Sequence, residues 1–236
     1  MTSADRPPGA TTPATAAPEP TARPVSVSLL GWRRAVAELY ADVRATSAAD
    51  PAGALRRFRA GRDRLFREHP DSPLPMEARA GFAGIPWWPH DPTLRFEARI
   101  LPLTPEPLAP EPVAPKPMTA TSVGGTALPL LRIGTAILPV GSLPVYWIDV
   151  YGGGIFVPFR DATSGQETHA AGRYLVDTIK GADLGGTMDR LVLDFNYAYH
   201  PSCAYDPRWS CPLAPPGSRL DLPIRAGERL QAQSAD

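Results

Sequence analysis

This chain has almost no lysine, only two cysteines, no net charge and no long apolar run. Lys116 and Lys180 are the only lysines among 24 basic residues, which 24 acidic residues balance. No run of Lys or Arg is interleaved with aromatics, so the electrostatic footprint for nucleic acid or an anionic membrane is missing and neither partner is expected. The preference for arginine, beside 30 prolines, fits a GC-rich coding genome of actinobacterial type rather than a function. No window reaches the roughly 18 consecutive apolar residues that cross a bilayer. The N-terminus, MTSADRPPGATTPATAAPEP, lacks the basic start, apolar core and small-residue cleavage site of a secretory signal. A cytoplasmic location is therefore expected, where Cys203 and Cys211 are more often free thiols or ligands than a structural disulfide.

What is present suffices for a sizeable core: 236 residues, 43% of them apolar. Residues 1–24, mostly Pro, Ala and Thr with little to bury, read as a disordered tail. Trp32, Val36, Leu39, Tyr40 and Val43 recur at helical spacing and predict a helix over Gly31–Ala45. A second helix starts at Asp50 as cap, with Pro51 in its first turn, and stops before Pro70. Leu55, Phe58, Leu65 and Phe66 mark its apolar side, and its six arginines read as a solvated face. Together they make a helical segment over 25–72.

From 73 to 230 the pattern is that of strands. Phe82–Trp88 and Leu94–Leu101 are short β-like runs, and seven prolines make 102–117 a polyproline-like loop. Then Ala127–Ile133, Thr135–Pro139, Val145–Tyr151, Ile155–Phe159, Gly172–Asp177 and Leu191–Tyr199 follow, punctuated by Gly and Pro. Short strands with tight glycine turns predict an antiparallel sheet. The expected fold is α+β: short N-terminal helices packed on a mainly antiparallel β barrel or sandwich.

Chemistry-bearing side chains crowd between Ile155 and Cys211. Along RLVLDFNYAYH, read as one strand, Asp194, Asn196 and His200 share a face opposite Leu191, Leu193, Phe195, Tyr197 and Tyr199. An acid, an amide and an imidazole in a row suit acid–base work in a cavity, and equally the solvent face of an edge strand. In HAAGRYLVD, His169, Arg173 and Asp177 share a face. Pairing these two strands through the loop 181–189 would set Arg173 against Asp194, as a brace or as a clamp for a substrate carboxylate.

RDATSGQET reads as a polar turn in which Asp161 bonds ahead to the Thr163 or Ser164 backbone amides and Gly165 takes a positive φ. The alternative has Asp161 and Ser164 facing a ligand. His200, Cys203 and Cys211 are spaced H-x2-C-x7-C, three soft ligands that His169 or Asp194 would complete for zinc. The other readings of the cysteines are a Cys203–Cys211 disulfide and two packed thiols. No GxSxG elbow or glycine-rich phosphate loop is present, so neither a serine hydrolase nor a nucleotide site is expected.

FVPFRDATSG, ET-x-x-x-GRYL, LDFN-x-AY-x-P-x-CAY, CPL-x-PP and RAGE, with RDRLFREHPDSPL, F-x-G-I-PWWP-x-D and LRF upstream, form a dense pattern. It resembles the signature of the bacterial and archaeal domain-of-unknown-function family 1684, in an actinobacterial-type form, over about residues 55–229. The resemblance implies that Asp161, Thr163, Gly165, Glu167, Gly172, Arg173, Asp194, Asn196, Cys203 and Cys211 occupy signature positions. It brings no reaction with it. Three positions depart from the usual pattern: His169 stands for a Tyr, Ser218 for an Asn, and His200 for an Asn common in relatives.

The functional expectation is a small-molecule enzyme. Asp194 or Glu167 would act with His200 or His169 as acid and base, while Arg173, Asn196, Asp161 and Ser164 bind substrate. No cofactor is required; zinc or another transition metal on His200, Cys203 and Cys211 is the one considered. The alternatives are a non-catalytic ligand-binding barrel and a structural domain with a buried polar network. The expected partner is a small molecule, with a homo-oligomer left open.

Overall fold

The computed structural model describes residues 26–103, 117–121, 127–187 and 189–231. The expected tail at 1–24 and nearly all of the expected polyproline-like loop at 102–117 lie outside them. Helix α1 spans Ser28–Thr46 and α2 spans Pro51–Glu68. The start of α2 follows from its first residues: the Asp50 carboxylate accepts the Gly53 N–H at 2.8 Å, and Pro51 supplies a preset φ in the first turn. Both helices lay apolar stripes on one face of the sheet, Val36, Tyr40, Val43, Leu55 and Phe58 meeting Leu130, Tyr146, Ile148, Phe156 and Tyr174. Each such fully buried side chain contributes about 1.5–3 kcal/mol, enough together to fix the helices there. A single turn, α3, covers Met76–Arg79.

The strands are β1 (Arg95–Pro102), β2 (Pro117–Thr121), β3 (Ala127–Leu138), β4 (Gly141–Ile148), β5 (Gly154–Phe159), β6 (Arg173–Asp177) and β7 (Arg190–Asp194). They form one antiparallel sheet in the order β6-β5-β4-β3-β1-β7, with β2 also on β3. Two expected strands merge into β3, because the break between Ile133 and Thr135 is a bulge rather than a turn. Gly134 sits there, and a Cβ on it would lie 2.7 Å from the Leu101 carbonyl oxygen. The second face of the sheet is buried too, where Leu143, Val145, Val157 and Phe159 pack under Leu220, Ile224 and Ala226 of the C-terminal segment.

Three expectations are corrected. Phe82–Trp88 forms no strand; within it, Trp87 makes one bridge to Glu228. The strand expected over Leu191–Tyr199 stops at Asp194 and gives way to a 3-10 turn, Phe195–Tyr197. The Asp194 carboxylate causes this, accepting the Asn196 N–H at 2.9 Å and the Asn196 amide at 2.8 Å and so curling the chain away from a ladder. Lastly, β6 and β7 do not form a hairpin but lie at opposite ends of the strand order. One bridge, Tyr174–Tyr199, links β6 to the segment following β7. The fold is α+β, a curled antiparallel half-barrel sheet with helices on one face. Among the described residues no helix is long and apolar enough to cross a membrane.

Candidate functional site

The polar centre of the molecule is Glu228, whose side chain is wholly buried. Arg62 Nε donates to its Oε1 at 2.7 Å. Its Oε2 accepts the His200 backbone N–H at 2.6 Å and the Tyr205 hydroxyl at 2.7 Å. Burial disfavours the Arg62 charge, but Glu228, Tyr205 and Tyr40 together hold its pKa above the ordinary arginine value. The Tyr199 and Phe66 rings lie 5.0 and 5.1 Å from the guanidinium carbon. Arg62 is thus an exception to the solvated arginine face expected on α2. It shares the stripe of Leu55, Phe58 and Phe66, and an arginine on an apolar stripe signals a buried partner. Gly227 makes room for that partner: its φ is +79°, and a Cβ would lie 2.5 Å from the Ala198 carbonyl oxygen.

His200 stands against this centre, 3% exposed. Its Nε2 accepts the His169 backbone N–H at 3.3 Å, so the proton of the neutral ring is assigned to Nδ1, which faces Glu228 Oε2 at 3.7 Å. Burial, and then the Arg173, His169 and Arg62 charges, push its pKa well below the usual histidine value. The ring is therefore neutral near pH 7. His200 lines a cleft of about 520 Å³ with Leu74, Phe82, Pro86, Tyr205 and Leu230, and exposed Arg229 in its wall. On another side it borders a cavity of about 40 Å³ where the Tyr40 and Tyr199 hydroxyls have no protein partner. That volume suits a few water molecules.

A second polar cluster brings Asp161, Ser164 and Arg173 together. Asp161 Oδ1 accepts the Thr163 and Ser164 hydroxyls at 2.8 and 3.2 Å in place of the expected backbone amides, the Ser164 N–H going to the Asp161 carbonyl, and Gly165 takes φ +88°. Its Oδ2 accepts the Ile224 N–H at 2.6 Å and Arg173 Nη2 at 3.3 Å. Arg173 also donates to the carbonyls of Ile224 (2.7 Å), Glu228 (3.2 Å) and Ala226, between the Trp88 and Phe159 rings. Burial lowers its pKa to about 10 against the pull of Asp161, leaving it charged at neutral pH. The expected Arg173–Asp194 contact is replaced by Arg173–Asp161: β6 and β7 are not hydrogen-bonded neighbours in the sheet, and the Asp194 carboxylate is held by Asn196.

Asp194 and Asn196 form the turn described above, and Asn196 ties it to Asp91 by accepting its N–H at 2.8 Å and donating to its carbonyl at 2.7 Å. Burial raises the Asp194 pKa. Glu167 lies at the surface, gripped by Arg225 at 2.8 and 2.9 Å; these bonds hold its pKa below the ordinary value. His169 approaches His200, ring centroids 6.5 Å apart, and burial depresses its pKa as well. Cys203 and Cys211 come together as free, buried thiols. Among the described residues no three His, Cys, Asp or Glu side chains gather into a set that could hold a metal ion, so His200 does not join the two cysteines. The residues that sequence reasoning passed over are Arg62, Tyr205 and Glu228.

Fold and site define an α+β protein whose curled antiparallel sheet is locked by buried carboxylate–guanidinium pairs beside a histidine-lined cleft. The chain belongs to the family described as protein of unknown function (DUF1684), whose model matches residues 80–229. It is similar to an uncharacterised protein of Haloarcula marismortui, gene locus rrnAC0354, known as a solution NMR structure. The two are 31% identical with a TM-score of 0.52, over 79% of this chain and 98% of that one. No curated protein matches the chain.

Proposed function

We propose that the protein binds a small molecule in the cleft over His200 and transfers a proton to or from it. The observation that carries this reading is a neutral imidazole in the wall of a cleft of about 520 Å³, within the range of about 300–1,000 Å³ usual for ligand sites. His200 is the base: its contact with the His169 N–H is long, so a ligand proton can take its place on Nε2, while Glu228 faces Nδ1 and favours the charge that develops. Arg229 supplies a cation for an anionic end, and Leu74, Phe82 and Leu230 supply apolar walls. The residues expected to act as acids have other work here, Asp194 in a turn and Glu167 in a surface ion pair.

A second reading, a structural role, fits Asp161 and Arg173, since both have all their partners inside the protein and neither faces the cleft. The partial barrel, rather than a sandwich, belongs to this proposal, supported by the Tyr174–Tyr199 bridge from β6. So does a cytoplasmic setting, supported by two unbridged cysteines.

The test is ligand-observed NMR with a library of small carboxylic acids, alcohols and amines. Ala83→Trp fills the cleft from its exposed wall without touching Glu228, and His200→Gln removes the base. Ligands that bind the parent protein and are lost on Ala83→Trp support the site. A library whose hits bind the Ala83→Trp protein unchanged overturns it.

A further inference from the structure

The chain's only two cysteines lie in contact, and neither belongs to the cleft. Cys203 sits in the 3-10 turn Ser202–Ala204, and its backbone N–H donates to Cys211 Sγ at 3.4 Å. The two side chains also interact directly, so that ionising one disfavours ionising the other. The connecting loop is pinned at its far end, where Trp209 Nε1 donates to the Pro73 carbonyl at 3.1 Å, and the residue after Cys211 accepts the Tyr174 hydroxyl. Lys180, held by Asp177 at 3.3 Å, adds a positive charge that favours an anion on Cys211. Two unlike thiols result. The interaction with the Cys203 side chain, then Lys180 and the backbone N–H groups of Cys203 and Ser202, outweigh burial and bring Cys211 down to about 6, while the same interaction and burial push Cys203 far above its usual value.

We propose that Cys211 and Cys203 are a dithiol couple, Cys211 reacting with hydroperoxides and Cys203 resolving the product to an intramolecular disulfide. The Cys211 thiolate attacks one oxygen of the peroxide; the O–O bond breaks, and hydroxide leaves with a proton as water. Cys211 becomes a sulfenic acid. Cys203 then gives up its proton and its sulfur attacks the Cys211 sulfur; the S–O bond breaks and a second water departs. Two thiols and one hydrogen peroxide become one disulfide and two waters, and a dithiol reductant reverses the step. Seven residues separate the cysteines, and the Cys203 N–H already reaches the Cys211 sulfur at 3.4 Å, so bridging needs little backbone movement. The exposures, 9% for Cys203 and 4% for Cys211, admit a reagent as small as hydrogen peroxide more readily than bulky thiol reagents.

The experiment treats the full, reduced and folded chain with hydrogen peroxide at neutral pH and weighs it intact. The expected product is a monomer lighter by two hydrogens with both thiols lost, restored by dithiothreitol. Arg208 lies between the cysteines, so trypsin separates them, and a linked pair of peptides identifies the bond. Cys203→Ser should stop at a Cys211 sulfenic acid that dimedone captures, and Cys211→Ser should leave Cys203 unmodified. The parent protein alone is decisive if a variant fails to fold. Retention of both thiols in the native state, or oxidation only after urea unfolding, overturns the proposal, as does a bond between two chains.

Discussion

The Arg62 guanidinium and the Glu228 carboxylate, 166 residues apart in the chain, meet in the core with Nε and Oε1 separated by 2.7 Å. Neither charge has another place to go. The pair therefore acts as a lock: weak as a net source of stability while intact, and damaging when half of it is removed.

Glu228→Gln leaves Arg62 buried and unpaired, and should lower unfolding stability by about 3–5 kcal/mol. Urea denaturation followed by circular dichroism measures this. Adding Arg62→Met should recover much of the loss, since the orphaned charge goes with it. A double variant no better than Glu228→Gln alone would contradict the account.

Gly227→Ala should be as harmful without touching a charge. A side chain at φ +79°, with Cβ 2.5 Å from one carbonyl oxygen and 2.7 Å from another, combines backbone strain with a clash. A loss of more than about 3 kcal/mol is expected. Gly217→Ala, also at positive φ but with open space around it, serves as control and should cost far less.

His200 and His169 make stability depend on pH in a definite direction. Both have folded pKa values depressed by burial, so the unfolded chain binds more protons and stability rises with pH. The contribution is complete above the unfolded histidine value of about 6.5 and is lost as pH falls toward the folded values. His200→Gln should flatten the slope between about pH 5 and 6.5. An unchanged slope in chemical denaturation at several pH values would count against a buried neutral ring.

The Cys211 thiolate can be followed by its ultraviolet absorbance. In the parent protein the signal should disappear through a midpoint at about 6. Cys203→Ala removes the largest stabilising contact and should move that midpoint toward the ordinary thiol range. Cys211→Ser should abolish the transition.

Local signals made much of the fold legible. Asp50 and Pro51 announce α2, and alternation with glycine turns announces the curled sheet. The error at β7 has a local cause too: Asp194 and Asn196 bond to their own backbone, and that competes successfully with the alternation that RLVLDFNYAYH otherwise obeys. The site was harder to read, because its members are joined by distance rather than pattern. Asp161 offered two nearby partners in sequence, Thr163 and Ser164, and bonds both, yet nothing local announces Arg173 and the Ile224 N–H on its other oxygen. Arg62 carried a usable clue in its place on an apolar stripe, and Glu228 in the RAGE motif, but nothing local joins them.

The cradle around Arg173 bears on how the chain reaches its native state. Among the described residues its carbonyl acceptors are Ile224, Ala226 and Glu228, and the partner of Arg62 is Glu228 as well. Until residue 228 has left the ribosome, neither guanidinium can be buried without a large penalty. The helices and most strands are synthesised long before, yet they cannot close over their charges. Folding of this unit should therefore be late and all-or-none, with the emergence of one short C-terminal segment as its trigger.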